Sequence, residues 1–435
     1  AISAYDHALM IDPRHAKVYY NKGIALADLG RHQEAIYSYN KAIEIVPGYA
    51  RAYYNKGISL YELGNLDDAL SAFNRAAELD PEDIWVWYYR SFILSRQDQN
   101  EFAAQSAEKF LAQEPDHADI WAIRGMSLFK LGRYDEALDA LRQATAINPD
   151  LSDAWYYLGL AGVETRQNDD AVEAFTRNLE IHPGNAGALY HRGLAHYRLK
   201  QYREAVQDFD ATLEPEPGNK EAWYRRGIAC VNLSRYEEAL ESFNRRLALG
   251  QNHAGSLYFR GIAQARLGRN KEAIESFDGA LQVDPSCASA AFQQGVAYAS
   301  LGRFSEAVAS YDHALRINPG LSDAIYHKGF ALSKLGRTED AVQEFERTVA
   351  FDPNNAKAFH QKGLQLVKIG RFDEAIEAFD ESLALKPGFA QAAFDKGAAL
   401  IRVGKFGDAL QAFDQAIATN PKYVNAYYQK GLTLV

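Results

Sequence analysis

Proline recurs at Pro13, Pro47, Pro81, Pro115, Pro149, Pro183, Pro217, Pro285, Pro319, Pro353, Pro387 and Pro421, always 34 residues apart except for one double step in which Gln251 holds the missing place. Only Pro215 is out of phase. A period of this length is one supersecondary unit written many times over, and it limits the chain to architectures built by stacking copies. Glycine keeps a second phase, from Gly23 and Gly57 to Gly397 and Gly431, broken only by Ser91. Alanine keeps a third without exception, through Ala1, Ala35, Ala69 and Ala103 to Ala409. An aromatic follows it four residues later in eleven of thirteen units, as Tyr39 and Phe73 do.

Within one unit, apolar residues return at three- and four-residue spacing through Tyr19, Gly23 and Leu26, break at Gly30, and resume through Ala35, Tyr39, Ala42 and Ile43. This is the pattern of two short amphipathic helices. Gly30 and its equivalents Gly64, Gly132, Gly268, Gly302, Gly336, Gly370 and Gly404 suit a left-handed residue that ends the first helix. Acids such as Glu34, Glu136, Glu204 and Glu272 fall in the first turn of the second helix, where its dipole favours them. Proline then closes that helix, since it lacks a donor and pushes its predecessor out of helical geometry. A glycine inside a helix costs about 1 kcal/mol relative to alanine, so Gly23 implies close helix approach: it is expected to face Ala35, with the Tyr39 ring beside them. The third unit has Ser91 for glycine, Ala107 for the aromatic and Phe110 for alanine, an exchange of small and large that reads as volume-conserving repacking.

In period and in order of residues the chain resembles the tetratricopeptide repeat. Starting at Ala16, the family's large residue, glycine, alanine, aromatic, alanine and proline are met by Tyr19, Gly23, Ala35, Tyr39, Ala42 and Pro47, and again in the next unit by Gly57, Ala69, Phe73 and Pro81. The resemblance implies an all-α fold, a right-handed superhelical α-solenoid of stacked antiparallel helix hairpins, with first helices lining a concave groove. Residues 1–435 are expected to form a single solenoid, in which 1–15 is a lone second helix, 16–423 are twelve whole repeats and 424–435 is a lone first helix. The seam at Gly250 and Gln251 is the expected place for a bend.

At 100° per residue the first helix carries a second stripe away from its partner, Tyr20, Ile24 and Ala27 in the first whole unit. Its leading place holds Tyr20, Tyr54, Tyr88, Tyr156, Tyr190, Tyr224, Tyr258, Tyr326 and Tyr428, with Phe292 and Phe394 as near equivalents. Tyrosine offers large contact area and a hydroxyl, which suits a partner-binding groove, and it equally suits packing against the neighbouring first helix. Family members that grip a C-terminal carboxylate carry lysine at this place and asparagine one turn on. Here tyrosine is followed by Ile24, Ile58 or Leu194, so hydrophobic docking or an extended ligand is expected instead. The place before the helix glycine departs from the family's leucine. It carries Lys22, Lys56, Arg90, Arg124, Arg192, Arg226, Arg260, Lys328, Lys362, Lys396 and Lys430, a column expected to be a structural ladder toward acids on adjacent repeats. Arg198, Arg266, Lys334, Lys368 and Arg402 stand near first-helix C-termini, where the dipole favours a cation.

Other chemistry finds no foothold in the residues. Forty-seven basic against fifty-seven acidic side chains give a net charge of −10, which opposes nucleic acid as a partner. Two cysteines, Cys230 and Cys287, build neither a disulfide framework nor a four-thiolate site and read as small hydrophobes. Eleven histidines show no metal-ligand spacing, and there is no phosphate-cradling loop or nucleophile turn, so no cofactor, metal or catalytic residue is expected. No run of eighteen apolar residues exists to span a bilayer, and residues 1–10 show no secretory signal. The expectation is a soluble protein, cytoplasmic by default, whose ends fall inside the repeat as though cut from a longer array. Its leading function is a non-catalytic scaffold or adaptor that offers a groove to a peptide or protein. One alternative is a building block that stacks on itself end to end into a filament or belongs to a longer array; another is a repeat region attached to an enzyme such as a glycosyltransferase.

Overall fold

Each break in the apolar pattern becomes a tight helical turn. In the first whole repeat the helix Ala16–Ala27 ends as Gly30 turns left-handed at φ 72°, and the Arg31 amide donates back to Leu26 O at 2.9 Å before the helix His32–Ile45 begins. This closes the carbonyls that the helix end leaves open. Glycine is not required everywhere: Asp98, Arg166, Lys200 and Ser234 occupy the same place with φ between 55° and 62°. At the other end of the hairpin Val46, held by the following Pro47, is extended at φ −128° and ends the second helix.

The structure is a computed structural model that describes residues 1–250 and 252–435, so Gln251, half of the expected seam, lies outside the described residues. Among the described residues there are twenty-six α-helices. They fall into two units, Ala1–Pro217 and Gly218–Val435. The first holds the helix Ile2–Ile11 followed by six hairpins, from Ala16–Ala27 with His32–Ile45 to Ala186–Arg198 with Tyr202–Leu213. The second holds six hairpins, from Lys220–Asn232 with Tyr236–Ala248 to Ala390–Arg402 with Phe406–Thr419, and then the helix Val424–Thr433. In each unit every helix packs on the next in the chain, and first helices also touch the first helices of adjacent repeats.

The core repeats as the sequence does. Ala35, Ala69 and every later alanine of that phase is fully buried, as are Tyr39, Phe73 and the rings that follow. One expectation is corrected here: the glycine is shaped by the aromatic sixteen residues on rather than by the alanine. A Cβ on Gly23 would stand 2.5 Å from Tyr39 Cε1, and one on Gly57 2.8 Å from Phe73 Cε1. Glycine therefore persists mid-helix because a ring lies flat where its side chain would be. The third repeat makes the exchange the sequence suggested. Ser91, Ala107 and Phe110 are all fully buried, and Ser91 Oγ donates to Tyr88 O at 2.7 Å. Tryptophan at the start of some first helices ties repeats together, since the indoles of Trp87, Trp121 and Trp155 donate to the carbonyls of Pro81, Pro115 and Pro149 at 3.1, 2.7 and 2.8 Å.

Candidate protein-binding surface

The basic column is a ladder with a fixed rule: its partners lie sixteen residues before or after it, on the second helices that flank each first helix. Lys22 meets Asp6 at 2.5 Å, Lys396 meets Asp380 at 2.5 Å, and Lys328 sits 2.7 Å from both Asp312 and Glu344. Arg192 grips the buried Asp208 through two nitrogens, at 2.6 and 2.9 Å. Where the acid is replaced, a hydroxyl serves: Arg226 donates to Ser242 Oγ at 2.6 Å and Arg260 to Ser276 Oγ at 3.0 Å. Burial lowers the pKa of the Lys328 ammonium, yet its two carboxylates outweigh this and the net shift is upward. Arg90 departs from the rule, lying 4.6 Å over the Trp87 ring, and burial pushes its pKa down. Charge spent inside the stack in this way is not offered to a ligand.

The aromatic stripe lies on the other side of the first helices, and its rings are half-buried, except Tyr428, which is 64% exposed. Each ring stands on the core aromatic of its own repeat, nineteen residues on. Tyr54 lies 6.0 Å from Phe73, Tyr88 5.5 Å from Phe110 (there the displaced ring), Tyr156 6.0 Å from Phe175, Tyr190 5.9 Å from Phe209 and Tyr224 6.3 Å from Phe243. The same contact recurs for Tyr20, Tyr258, Phe292, Tyr326 and Phe394 at 6.2, 6.1, 5.9, 5.8 and 5.8 Å. Within a unit the next repeat closes over several ring edges: Asn55 Nδ2 donates to the Tyr20 hydroxyl at 2.9 Å, and His191 and His327 pack beside Tyr156 and Phe292. Burial raises the pKa of the phenols of Tyr88, Tyr156, Tyr258 and Tyr326, so they remain neutral donors. The stripe is thus both a packing layer and a partly exposed apolar surface, continued by Ile24, Ile58, Leu160 and the 36% exposed Phe330.

Two members of the stripe do not stand out by residue type. Ala122 and His360 hold the same place, as steps of 34 residues from Tyr88 and Tyr326 reveal. His360 is buried, and its Nε2 lies 2.8 Å from Asp395 Oδ2 of the next first helix, in the geometry that Tyr20 shares with Asn55. Among the described residues no group of three His, Cys, Asp or Glu side chains is arranged to hold a metal ion, and no helix is long and apolar enough to cross a membrane. Cys230 is buried and Cys287 half-buried.

A stack of helix hairpins with an apolar first-helix face and internally paired charge defines a repeat scaffold for protein interactions. Sequence models of the tetratricopeptide repeat match residues 14–82, 93–152, 124–186, 156–214, 190–254, 258–322, 298–362, 360–424 and 394–434, and the chain belongs to the tetratricopeptide repeat family. That family is generally non-catalytic. No curated protein sequence matches the chain. Among solved structures it is similar to YrrB, described as a TPR protein with an unusual peptide-binding site (26% identity over 44% of this chain and 99% of that one, TM-score 0.41). It is also similar to MamA (25% identity, 38% and 96%, TM-score 0.37). The C-terminal part of a TPR repeat-containing protein from Cytophaga hutchinsonii shares the fold at 14% identity, over 55% of this chain and 98% of that one, with a TM-score of 0.50.

Proposed function

We propose that the chain is a scaffold whose first-helix face holds a peptide or protein segment, chiefly through apolar contact. The observation that carries this is the division of labour across each first helix. One side spends its charge on flanking helices, while the other keeps partly exposed rings and aliphatic side chains. Aromatic side chains give contact area at low entropic cost, and those already packed on a core ring are preorganised. The test is a peptide-display selection on the immobilised chain, followed by photo-crosslinking of a selected peptide from Leu160 on this face and from the exposed Glu173 on a second helix. Crosslinks from Leu160 alone are expected. Crosslinks confined to Glu173 would place recognition elsewhere and end the proposal.

The same reading treats residues 1–435 as one functional array. Limited proteolysis checks it: rapid cleavage near Pro217 into two lasting halves would argue for separate domains.

A further inference from the structure

The last turns of the first helices carry a second column, one turn beyond the apolar stripe. In residues 218–435 it holds Arg266, Lys334, Lys368 and Arg402 with the neutral Asn232 and Ser300, and no acid; in residues 1–217 the same place mixes Asp28, Glu62 and Glu164 with Arg96, Lys130 and Arg198. A helix dipole welcomes a cation there in every repeat alike. The three acids therefore mean that the dipole alone does not set this column, and the uninterrupted run of Lys334, Lys368 and Arg402 needs a further cause.

These cations differ from the ladder in what surrounds them. All four are exposed. Lys368 Nζ lies 2.8 Å from Gln365 Oε1, Lys334 Nζ stands 5.2 Å from the Phe330 ring, and the Arg402 guanidinium 4.8 Å from the Phe372 ring. Every one of these neighbours is neutral, and no carboxylate oxygen among the described residues comes within 4.0 Å of the four. The exposed acid on the helix of Lys334 is Asp323, eleven residues away (334 − 323). At about 1.5 Å per residue that is roughly 16 Å along the axis, beyond a screening length of about 8 Å at physiological salt.

We propose that Lys334, Lys368 and Arg402, with the apolar stripe beside them, receive an extended acidic peptide; this rests on reading the first-helix face as the binding surface. Adjacent first helices touch, which sets their axes about 8–10 Å apart. An extended chain rises about 3.3 Å per residue, so carboxylates at about every third position meet successive cations. The residues between them face Phe330, Leu364 and Phe394. Nucleic acid fits less well, because three cations spaced one repeat apart are set in a chain of net charge −10.

Fluorescence polarisation of the full chain tests this with labelled peptides of four Glu-Phe-Ser triplets, the matching Gln-Phe-Ser and Lys-Phe-Ser peptides, and oligouridylate RNA. The glutamate peptide should bind about tenfold tighter than the glutamine peptide, as expected for several exposed ion pairs. The K334Q/K368Q/R402Q variant, altered only at exposed side chains, should remove that advantage, and K368E alone should reduce it. Equal binding of the glutamate and glutamine peptides, an unchanged glutamate affinity in both variants, or tighter binding of RNA overturns the acidic-peptide proposal. If the two peptides bind equally but Phe330→Ala weakens both, the groove reading survives without it. If no peptide binds, both fall.

Discussion

Replacing Gly159 by alanine tests the central packing claim. A Cβ there would stand 2.6, 2.7 and 2.8 Å from three atoms of the Phe175 ring, which is fully buried and belongs to the second helix of the same repeat. Ordinary carbon contacts lie at about 3.5–4.0 Å, so ring or helix must retreat by roughly 1 Å. Overpacking of this kind costs about 1–3 kcal/mol, while removing a mid-helix glycine returns about 1 kcal/mol of helix propensity. Gly279→Ala is the control, because it too lies inside a helix, but its new methyl would meet Leu257 at an ordinary 3.5 Å. Subtracting the control cancels the propensity gain and leaves the overpacking cost. A repeat stack need not unfold in two states, so the assay is native-state hydrogen exchange of the helices Ser152–Glu164 and Asn168–Ile181 for Gly159→Ala, and of Asn270–Val283 for the control. Relative to the control, exchange should speed by about fivefold to 150-fold at Gly159→Ala, the equivalent of about 1–3 kcal/mol, while Gly279→Ala itself slows modestly. If Gly159→Ala slowed exchange as the control does, the glycine would not be there for the ring.

Other consequences are open to direct measurement. Arg166→Gly and Lys200→Gly should each raise the melting temperature, because a left-handed conformation costs a non-glycine residue about 1 kcal/mol or slightly more; a drop would mean that those side chains contribute more than the strain. Asp208→Ala should destabilise by about 2–3 kcal/mol by leaving the largely buried Arg192 unpaired, whereas Asp208→Ser, which copies Ser242 and Ser276, should cost less in urea denaturation. Burial pushes the imidazoles of His191 and His327 below their ordinary pKa, so the fold prefers them neutral while the unfolded chain takes up protons below about pH 6.5. Their contribution is then complete above that pH and is lost as pH falls toward the folded-state pKa. The variant His191→Phe, which copies Phe259, should flatten the fall in melting temperature between pH 7 and pH 5, and an unchanged slope would refute this.

The repeat, its hairpins and its caps were legible in the sequence because each depends on a residue type whose physical demand is local. Proline stops a helix and alanine tolerates a close neighbour wherever either occurs. The partner of Gly23 was less legible, since spacing alone does not separate Ala35 from Tyr39 as the group that excludes a side chain. The left-handed turn at Asp98, Arg166, Lys200 and Ser234 was invisible by residue type, because neighbouring packing overrides a preference of about 1–2 kcal/mol. The ladder was expected to meet acids on adjacent repeats, but the double grip of Lys328 depends on helices from two hairpins meeting at one point. His360 was hidden by its identity and recoverable by its phase.

Because each ladder cation looks sixteen residues in either direction, its bonds are indifferent to how many copies lie beyond. Cutting out residues 288–321 would bring Asp278 to the spot vacated by Asp312, and Lys328 would again sit between two carboxylates, the other being Glu344. The chain's length is therefore a quantity that recombination between copies can alter in whole steps without orphaning a charge, whereas a break in mid-copy strands the ammonium among mismatched helices.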